Sequence, residues 1–249
     1  MWEKLSELKK EFLDSPELNT EVYKNYLVQR FLYETLKLSG NSLPEQDFAE
    51  IITTSKRPHT PEGTKAYDLW QAWLFTAQAA QKHEKMDLRF IQSIAAKVMK
   101  HTGGETTTTV GRYDSSLGDF RLGEDYNEAY PLADYRQIPV LLDALCRDVD
   151  ARIDKVNGIQ ALRLAAGFMY EFMHIRPFGA GNLETGLLGM NYIQLYHNEP
   201  LLMPYAEERL PFLNALKKGK INQTSETFDE FIARQQIKFY QEQLEALQA

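Results

Sequence analysis

The sequence predicts a mainly α-helical fold with one short β-hairpin, and two observations carry this prediction. Apolar residues recur at three- and four-residue intervals through most of the 249 residues, which is the spacing of one buried helix face. Between about residues 106 and 131 the pattern changes to four consecutive threonines and then short runs with β-branched and aromatic residues. Such runs favour strands.

The composition argues against several classes of function. The net charge of −7 and the pI near 5.4 disfavour non-specific nucleic-acid binding, which needs Lys and Arg to neutralise phosphates. No apolar run approaches the ~20 residues of a membrane span, and the amino terminus has no basic and apolar leader. We therefore expect a cytoplasmic protein with no membrane or nucleic-acid partner, and an oligomer stays open.

The single cysteine, Cys146, allows no intramolecular disulfide and no cysteine-based metal cluster. Its neighbours form an apolar helical pattern, so we expect a buried packing thiol and not a nucleophile. No metal site is expected elsewhere.

The first helices are predicted by apolar spacing and by capping residues. One helix is expected from about residue 20 to 38, ended by a glycine at 40. Ser42 to Glu45 predicts a capping box, with Pro44 early in the next helix. Thr60 and Asp87 are the expected caps of the two helices after it.

The segment 106–131, in which the helical pattern is interrupted, is predicted to form a β-hairpin or extended flap. Val110–Tyr113 and Phe120–Leu122 are expected to extend on either side of a polar turn, Asp114–Asp119. Its candidate functional residues are Gly111, Arg112, Tyr113 and Arg121. The two arginines are expected either to orient the strand of a target protein by edge pairing or to solubilise an exposed edge.

Helical spacing resumes after the flap. Helices are expected at about 138–153, 158–175, 182–196, 206–217 and 225–247. We divide the chain into an amino-terminal helical segment (1–34), a core with the flap (35–200) and a carboxy-terminal helical segment packed on that core (201–249).

The loop between two of these helices, Arg176–Leu187, is the most informative segment. Pro177 breaks the preceding helix, and Gly179 and Gly181 permit backbone conformations closed to other residues. Because the next helix begins at about Asn182, unpaired N–H groups there would attract a small anion. The alternative is a connection whose glycines only permit tight packing.

The loop resembles the signature of the Fic family, H-x-F-x-[D/E]-G-N-G-R-x-x-R. The matching residues are Pro177, Phe178, Gly181, Asn182, Thr185 and Gly186. Two further segments agree in order and spacing: Ser39–Leu43 is similar to an E-G-N-[ST]-L segment, and Gly111–Tyr113 with Ile138–Leu142 is similar to the flap and the helix after it. The resemblance covers roughly residues 35 to 197.

This resemblance implies a helical core with a β-hairpin flap, and transfer of a nucleotidyl group, usually AMP from ATP, to a protein hydroxyl. In the family the loop histidine is the general base and an acidic residue holds Mg²⁺. The glycine-asparagine backbone binds anions, and two arginines bind phosphates. The anion- or nucleotide-binding positions implied here are Phe178, Gly179, Ala180, Gly181, Asn182, Leu183, Glu184 and Leu187.

The residues that would react are altered. Arg176 stands at the histidine position, and a guanidinium cannot accept a proton at any workable pH. Ala180 replaces the metal-binding acid and Leu183 the second glycine, while Glu184 and Leu187 replace the two arginines. No catalytic residue is intact, and ATP with Mg²⁺, usual in the family, becomes doubtful as a cofactor.

An inhibitory helix, [S/T]-x-x-x-E-[G/N], accompanies many Fic domains, and its glutamate pairs with the second arginine. Here Thr35 and Gly40 keep the spacing, but Ser39 stands at the glutamate position. With Leu187 at the arginine position, both ends of that salt bridge are absent.

The sequence therefore predicts a degenerate Fic-domain protein, impaired in AMP transfer, that acts by binding an anion, a nucleotide or a protein. The alternative is an active nucleotidyl- or phosphotransferase with a rearranged site, in which Arg176 and Glu184 have new roles. His174, two residues before Arg176, is expected to end a core-facing helix and not to act as a displaced base.

Overall fold

A computed structural model describes residues 1–123 and 132–247 of the chain. These residues form ten α-helices and one two-stranded sheet. The helices are α1 (Trp2–Asp14), α2 (Glu21–Leu38), α3 (Glu45–Thr54), α4 (Pro61–Gln81), α5 (Leu88–Val98), α6 (Ile138–Ile153), α7 (Gly158–Ile175), α8 (Asn182–Tyr196), α9 (Arg209–Asn222) and α10 (Glu226–Ala246). The strands are β1 (Glu105–Thr108) and β2 (Gly111–Asp114).

The mainly helical fold with one hairpin is confirmed, and α6, α7 and α8 have the predicted bounds. The expected caps also form. Thr60 accepts a hydrogen bond from the N–H of Gly63 at the start of α4, and Asp87 accepts one from Phe90 at the start of α5. These acceptors satisfy amides that have no partner within the helix.

The predicted capping box at Ser42–Glu45 is wrong. Helix α3 begins at Glu45, and Pro44 lies just outside it in an extended conformation, with no side-chain cap. The polar side chain that orders this turn is Asn41, which accepts a hydrogen bond from the N–H of Leu43 and donates one to the carbonyl of Glu62.

Helix α8 lies at the centre of the fold. It packs against α7, α4, α5 and α2, and every residue from Glu184 to Gln194 is buried. A helix surrounded in this way has buried residues on all of its faces. Because neighbours enclose α8, they also fix the position of the loop that precedes it.

The hairpin differs from the prediction in its register. Residue 105 pairs with 114 and residue 108 with 111, so the turn is at Thr109 and Val110. The predicted turn, 114–119, instead holds a short 3-10 helix. Asp114 and Asp119 cause this, because their carboxylates accept hydrogen bonds from backbone N–H groups within the segment and so end the strand. The predicted flap residues 124–131 lie outside the described residues.

Cys146 is buried, and burial raises the pKa of its thiol to about 12. The expectation of a packing thiol is confirmed. None of the helices found within 1–123 and 132–247 combines the length and the apolar character that crossing a membrane requires.

Candidate functional site

The loop begins where α7 ends in a left-handed residue. Arg176 has φ of 45°, and its N–H donates to the carbonyl of Phe172. This conformation turns the chain sharply, so that Pro177 and Phe178 are buried. The ring of Phe178 stacks on Phe120 at 5.8 Å between centroids. The position of the family's base is therefore a helix terminus, where Arg176 is half-buried.

Asn182 holds the loop closed from inside. Its Oδ1 accepts a hydrogen bond from the N–H of Phe178 at 3.0 Å, and its Nδ2 donates to the carbonyl of the same residue at 2.6 Å. The side chain is buried. Both polar ends of this amide are thus used by the loop itself, and a ligand would meet only the backbone of Asn182.

The two glycines of the loop are explained by close packing. Gly179 lies beneath the ring of Tyr113, and a Cβ atom there would collide with that ring. Gly181 has φ of 72°, and a Cβ atom would lie 3.0 Å from Met99 and Val98. Close packing therefore accounts for both glycines. The contact also brings the flap residue Tyr113 onto the loop.

Arg121 is not on an exposed edge, and that prediction is wrong. The side chain is 3% exposed and donates to four backbone carbonyls. The acceptors are Arg176 at 2.8 Å, Gly123 at 3.1 Å, Ala133 at 2.6 Å and Ile175 at 3.4 Å. Its planar group of donors suits several carbonyls at once. Arg121 therefore fixes the end of α7 and the start of the loop.

Arg112 and Gly111 do lie on the hairpin. The Arg112 side chain is exposed and pairs with Glu105 at 3.5 Å between nitrogen and oxygen. Such an exposed pair contributes little to stability.

Glu184 is buried and ion-paired. Its side chain is 4% exposed, and its Oε1 lies 2.8 Å from Nζ of Lys65 on α4, at ion-pair distance but outside hydrogen-bond geometry. The same ammonium donates to Oγ of Ser39 at 3.3 Å. Lys65 therefore joins the end of α2 to the first turn of α8. Sequence reasoning missed Lys65, since a lysine near the start of an amphipathic helix carries no distinctive signal.

The positions of the degenerate inhibitory motif are next to the loop. Leu38, which precedes Ser39, lines a small apolar cavity together with Leu187. Thr35 is fully buried, and its hydroxyl donates to the carbonyl of Phe31 at 2.8 Å. Gly40 has φ of 87°. Leucine at the second arginine position thus makes an apolar contact where the family resemblance implies a salt bridge.

The loop residues do not fit the ATP and Mg²⁺ that the resemblance implies. Ala180 and Leu183 are half-buried and packed against the core, and neither has an oxygen for a hard cation. The buried carboxylate of Glu184 would repel a phosphate. In the described parts of the chain, His, Cys, Asp and Glu side chains form no group of three that could hold a metal ion.

His174 has the predicted place in the core. It is 4% exposed, and its Nδ1 lies 2.7 Å from the carbonyl of Tyr170. Burial lowers its pKa below the ordinary value of 6.5. A second histidine, His101, has a partner that the sequence did not predict. This partner is Asp68, which is 1% exposed: its Oδ1 lies 2.6 Å from Nδ1 of His101, and its Oδ2 accepts a hydrogen bond from the backbone N–H of His101 at 2.8 Å. This carboxylate anchors the turn after α5.

The helical core, the hairpin laid on the α7–α8 loop and the buried start of α8 define a Fic-type fold. The model of the Fic/DOC family matches residues 85–194, which include the hairpin, the loop and most of α8. The match to the family model and the Fic-like fold confirm the resemblance that the sequence shows. Comparison with curated protein sequences gives no significant match.

Solved structures share the fold across the chain. A Fic-domain-containing signaling protein from Bacteroides thetaiotaomicron has a TM-score of 0.78 at 16% identity, covering 96% of this chain and 94% of its own. A Fic family protein from Desulfovibrio desulfuricans has a TM-score of 0.73 at 17% identity, covering 99% and 74%. A variant of Fic-1 from C. elegans has a TM-score of 0.77 at 16% identity, covering 99% and 72%. Identities this low establish the fold alone.

Proposed function

We propose that this protein is a Fic-fold protein that does not transfer AMP from ATP and acts by binding a partner polypeptide along its flap. One observation carries the proposal: the fold uses the residues that stand at the reacting positions. Glu184 is buried in an ion pair, Leu187 lines an apolar cavity and Arg176 ends α7. A guanidinium cannot act as a base, and neither a leucine nor a buried carboxylate binds a phosphate.

The flap supports the second part of the proposal. Among the described residues, the first three residues of β1, Glu105–Thr107, are exposed, and β1 pairs with β2 alone. An exposed strand edge accepts an extended peptide by main-chain hydrogen bonds. Threonines favour the extended conformation that such pairing needs.

The rearranged transferase is the less supported alternative. It needs Arg176 and Glu184 in new catalytic roles, and the buried ion pair of Glu184 with Lys65 leaves that carboxylate without access to a substrate. Binding of a small anion near the start of α8 is also less supported, because the buried carboxylate of Glu184 in the first turn would repel it.

Transfer is tested with labelled ATP, Mg²⁺ and a cell lysate. We expect no label on any protein with the native chain or with an Arg176→Ala variant. Label that depends on Arg176 would refute the loss of transfer and support the alternative.

Partner binding is tested by capture on the native chain and on single Thr106→Pro and Thr107→Pro variants. Adjacent residues of an antiparallel strand direct their N–H groups to opposite sides, so one of the two prolines removes a donor from the free edge. That variant should lose the captured partner, whereas Thr107→Ser, which keeps the backbone donor, should retain it. Capture that neither proline weakens would contradict binding along the flap.

A further inference from the structure

Helix α9 is basic, although the chain as a whole is acidic. Its 14 residues include four cationic side chains and no acidic one, whereas the net charge of the chain is −7. The cationic residues are Arg209, Lys217, Lys218 and Lys220. In the portion of the chain that the structure describes, none of the four forms an ion pair. The charge of this helix is therefore available to a partner of opposite sign.

The side chains that α9 directs to solvent follow one line along the helix. Leu210 and Ile221 are 72% and 69% exposed, and their separation of three turns places them within about 20° of each other around the helix axis. Asn214 and Lys217 lie on the same line between them and are exposed. The opposite side of the helix is buried, through Phe212, Ala215, Leu216 and Gly219. The outward face thus has an exposed apolar side chain near each end and polar groups between them.

This face suits a flat anionic surface better than a groove on a protein. A helix that packs into an apolar groove places apolar anchors at successive three- and four-residue steps, but here Asn214 and Lys217 occupy the two middle steps. At the boundary of a lipid layer, apolar side chains enter the acyl region. A lysine beside them lays its apolar stem along the layer and keeps its ammonium at the headgroups. A basic amphipathic helix is typical of such contacts.

We propose that α9 docks this protein on an anionic lipid surface, with Leu210 and Ile221 inserted and with Lys217 and Lys218 at the level of the lipid phosphates. Charge complementarity carries the proposal. The rest of the chain has a net negative charge, so electrostatic forces turn the α9 face towards such a surface. Lys220 contributes less, because it lines a polar pocket together with Glu171.

The proposal differs from the sequence-based expectation of no membrane partner. That expectation rested on the length of apolar runs, which decides whether a chain can span a bilayer. Contact at the surface of a bilayer needs only one exposed helix face with apolar and basic residues. The binding along the flap and the contact through α9 use different elements of the fold.

The charge is tested by co-sedimentation of the full chain with vesicles of phosphatidylcholine, alone or with about 30% phosphatidylserine. The native chain should bind the anionic vesicles and not the neutral ones. Lys217→Gln combined with Lys218→Gln should lower the partition coefficient at least about tenfold, because each ammonium near the surface strengthens binding about fivefold. The matched control, Lys56→Gln with Lys100→Gln, makes the same change in net charge at exposed lysines outside α9. It should lower the coefficient less than about twofold, since salt screens distant charges.

Insertion is tested with an environment-sensitive fluorophore on Ile221→Cys, which labels one position because the native Cys146 is buried. Its emission should shift to the blue when anionic vesicles are added. The same fluorophore on Val22→Cys, at a residue of α2 that is 82% exposed, should not shift. Leu210→Gln should weaken vesicle binding, and because Leu210 is exposed this variant should fold as the native chain does.

The proposal is overturned if the native chain does not bind the anionic vesicles, if the two lysine pairs weaken binding equally, or if the fluorophore on Ile221→Cys keeps its aqueous emission. Polyglutamate that binds as tightly as the vesicles, without dependence on Leu210, would overturn it in favour of an acidic polypeptide. Self-association without vesicles that Leu210→Gln abolishes would overturn it in favour of a second copy of the chain. These readouts use neither partner capture nor label transfer, so this proposal and the proposed function fail separately.

Discussion

The loop Arg176–Leu187 and the hairpin Glu105–Asp114 meet at Tyr113, yet they use their polar groups in opposite ways. In the loop, the amide of Asn182 and the carboxylate of Glu184 are buried and paired within the chain. In the hairpin, the first three residues of β1 and the ion pair of Arg112 are exposed. A segment that satisfies its own polar groups has little left for a ligand, whereas an exposed strand has its backbone edge to offer.

The largest expected effect comes from substituting the two arginines of the flap, one of which is buried and the other exposed. Arg121→Met should lower the free energy of unfolding by about 4 kcal/mol, because buried carbonyls lose a charged donor and stay desolvated. Arg112→Met should change it by no more than about 0.5 kcal/mol, since an exposed ion pair contributes little. Urea unfolding followed by circular dichroism measures both. Equal effects would remove the contrast between buried and exposed arginines.

Asn182 tests the closed loop with a smaller expected effect. Asn182→Ala should cost about 2 kcal/mol, because the buried N–H and carbonyl of Phe178 lose their partners. Asn214→Ala, an exposed asparagine on α9, is the control and should stay within about 0.5 kcal/mol. If the two variants unfold at the same urea concentration, the amide of Asn182 does not hold the loop.

The contact between the two regions can be measured by a double-mutant cycle of Tyr113→Ala and Gly179→Ala. A methyl group at Gly179 would collide with the Tyr113 ring. Gly179→Ala should therefore lower the free energy of unfolding more when it is made in the native chain than when it is made in the Tyr113→Ala variant. We expect a coupling free energy of about 1 kcal/mol, typical of residues in contact. Purely additive effects would mean that the ring moves aside at no cost, and the two regions would then be independent.

The sequence predicts the loop better than the hairpin, and the reason is physical. Helices α7 and α8 have long apolar periods, and Pro177 and the loop glycines mark the break between them, so their bounds follow from local chemistry. The hairpin register depended on how Asp114 and Asp119 bind nearby amides. Two acidic residues in a turn-like run do not reveal this arrangement before the backbone is known.

The contacts around the site were the least predictable, because they join distant parts of the chain. Lys65 contacts Ser39 and Glu184 across three helices. Arg121 binds carbonyls more than fifty residues away. The residue types at positions 176, 180, 184 and 187 indicated which chemical groups of the family signature are replaced. Which new partners those residues have depends on tertiary packing, and periodicity carries no information about it.

The smallest expected effect is a pH dependence that belongs to the loop and not to the hairpin. His174 lies in the last turn of α7, two residues before Arg176, and burial lowers its pKa below 6.5. The unfolded chain therefore takes up this proton at a higher pH than the folded chain does. It follows that His174 contributes its full stability above about pH 6.5, and that this contribution falls as the pH drops towards the lowered pKa.

We expect the free energy of unfolding to decrease between pH 7 and pH 5, and to decrease less in His174→Gln, which cannot take up the proton. His59→Gln is the control, since His59 is exposed and should leave the slope unchanged. In hydrogen exchange, lowering the pH from 7 to 5 should then increase the opening rate more at the end of α7 than in β1 and β2. If exchange of the hairpin amides accelerates as much as exchange of the α7 amides, the two regions open as one unit. The loop, whose polar groups are paired within the chain, and the strand edge would then not be independent.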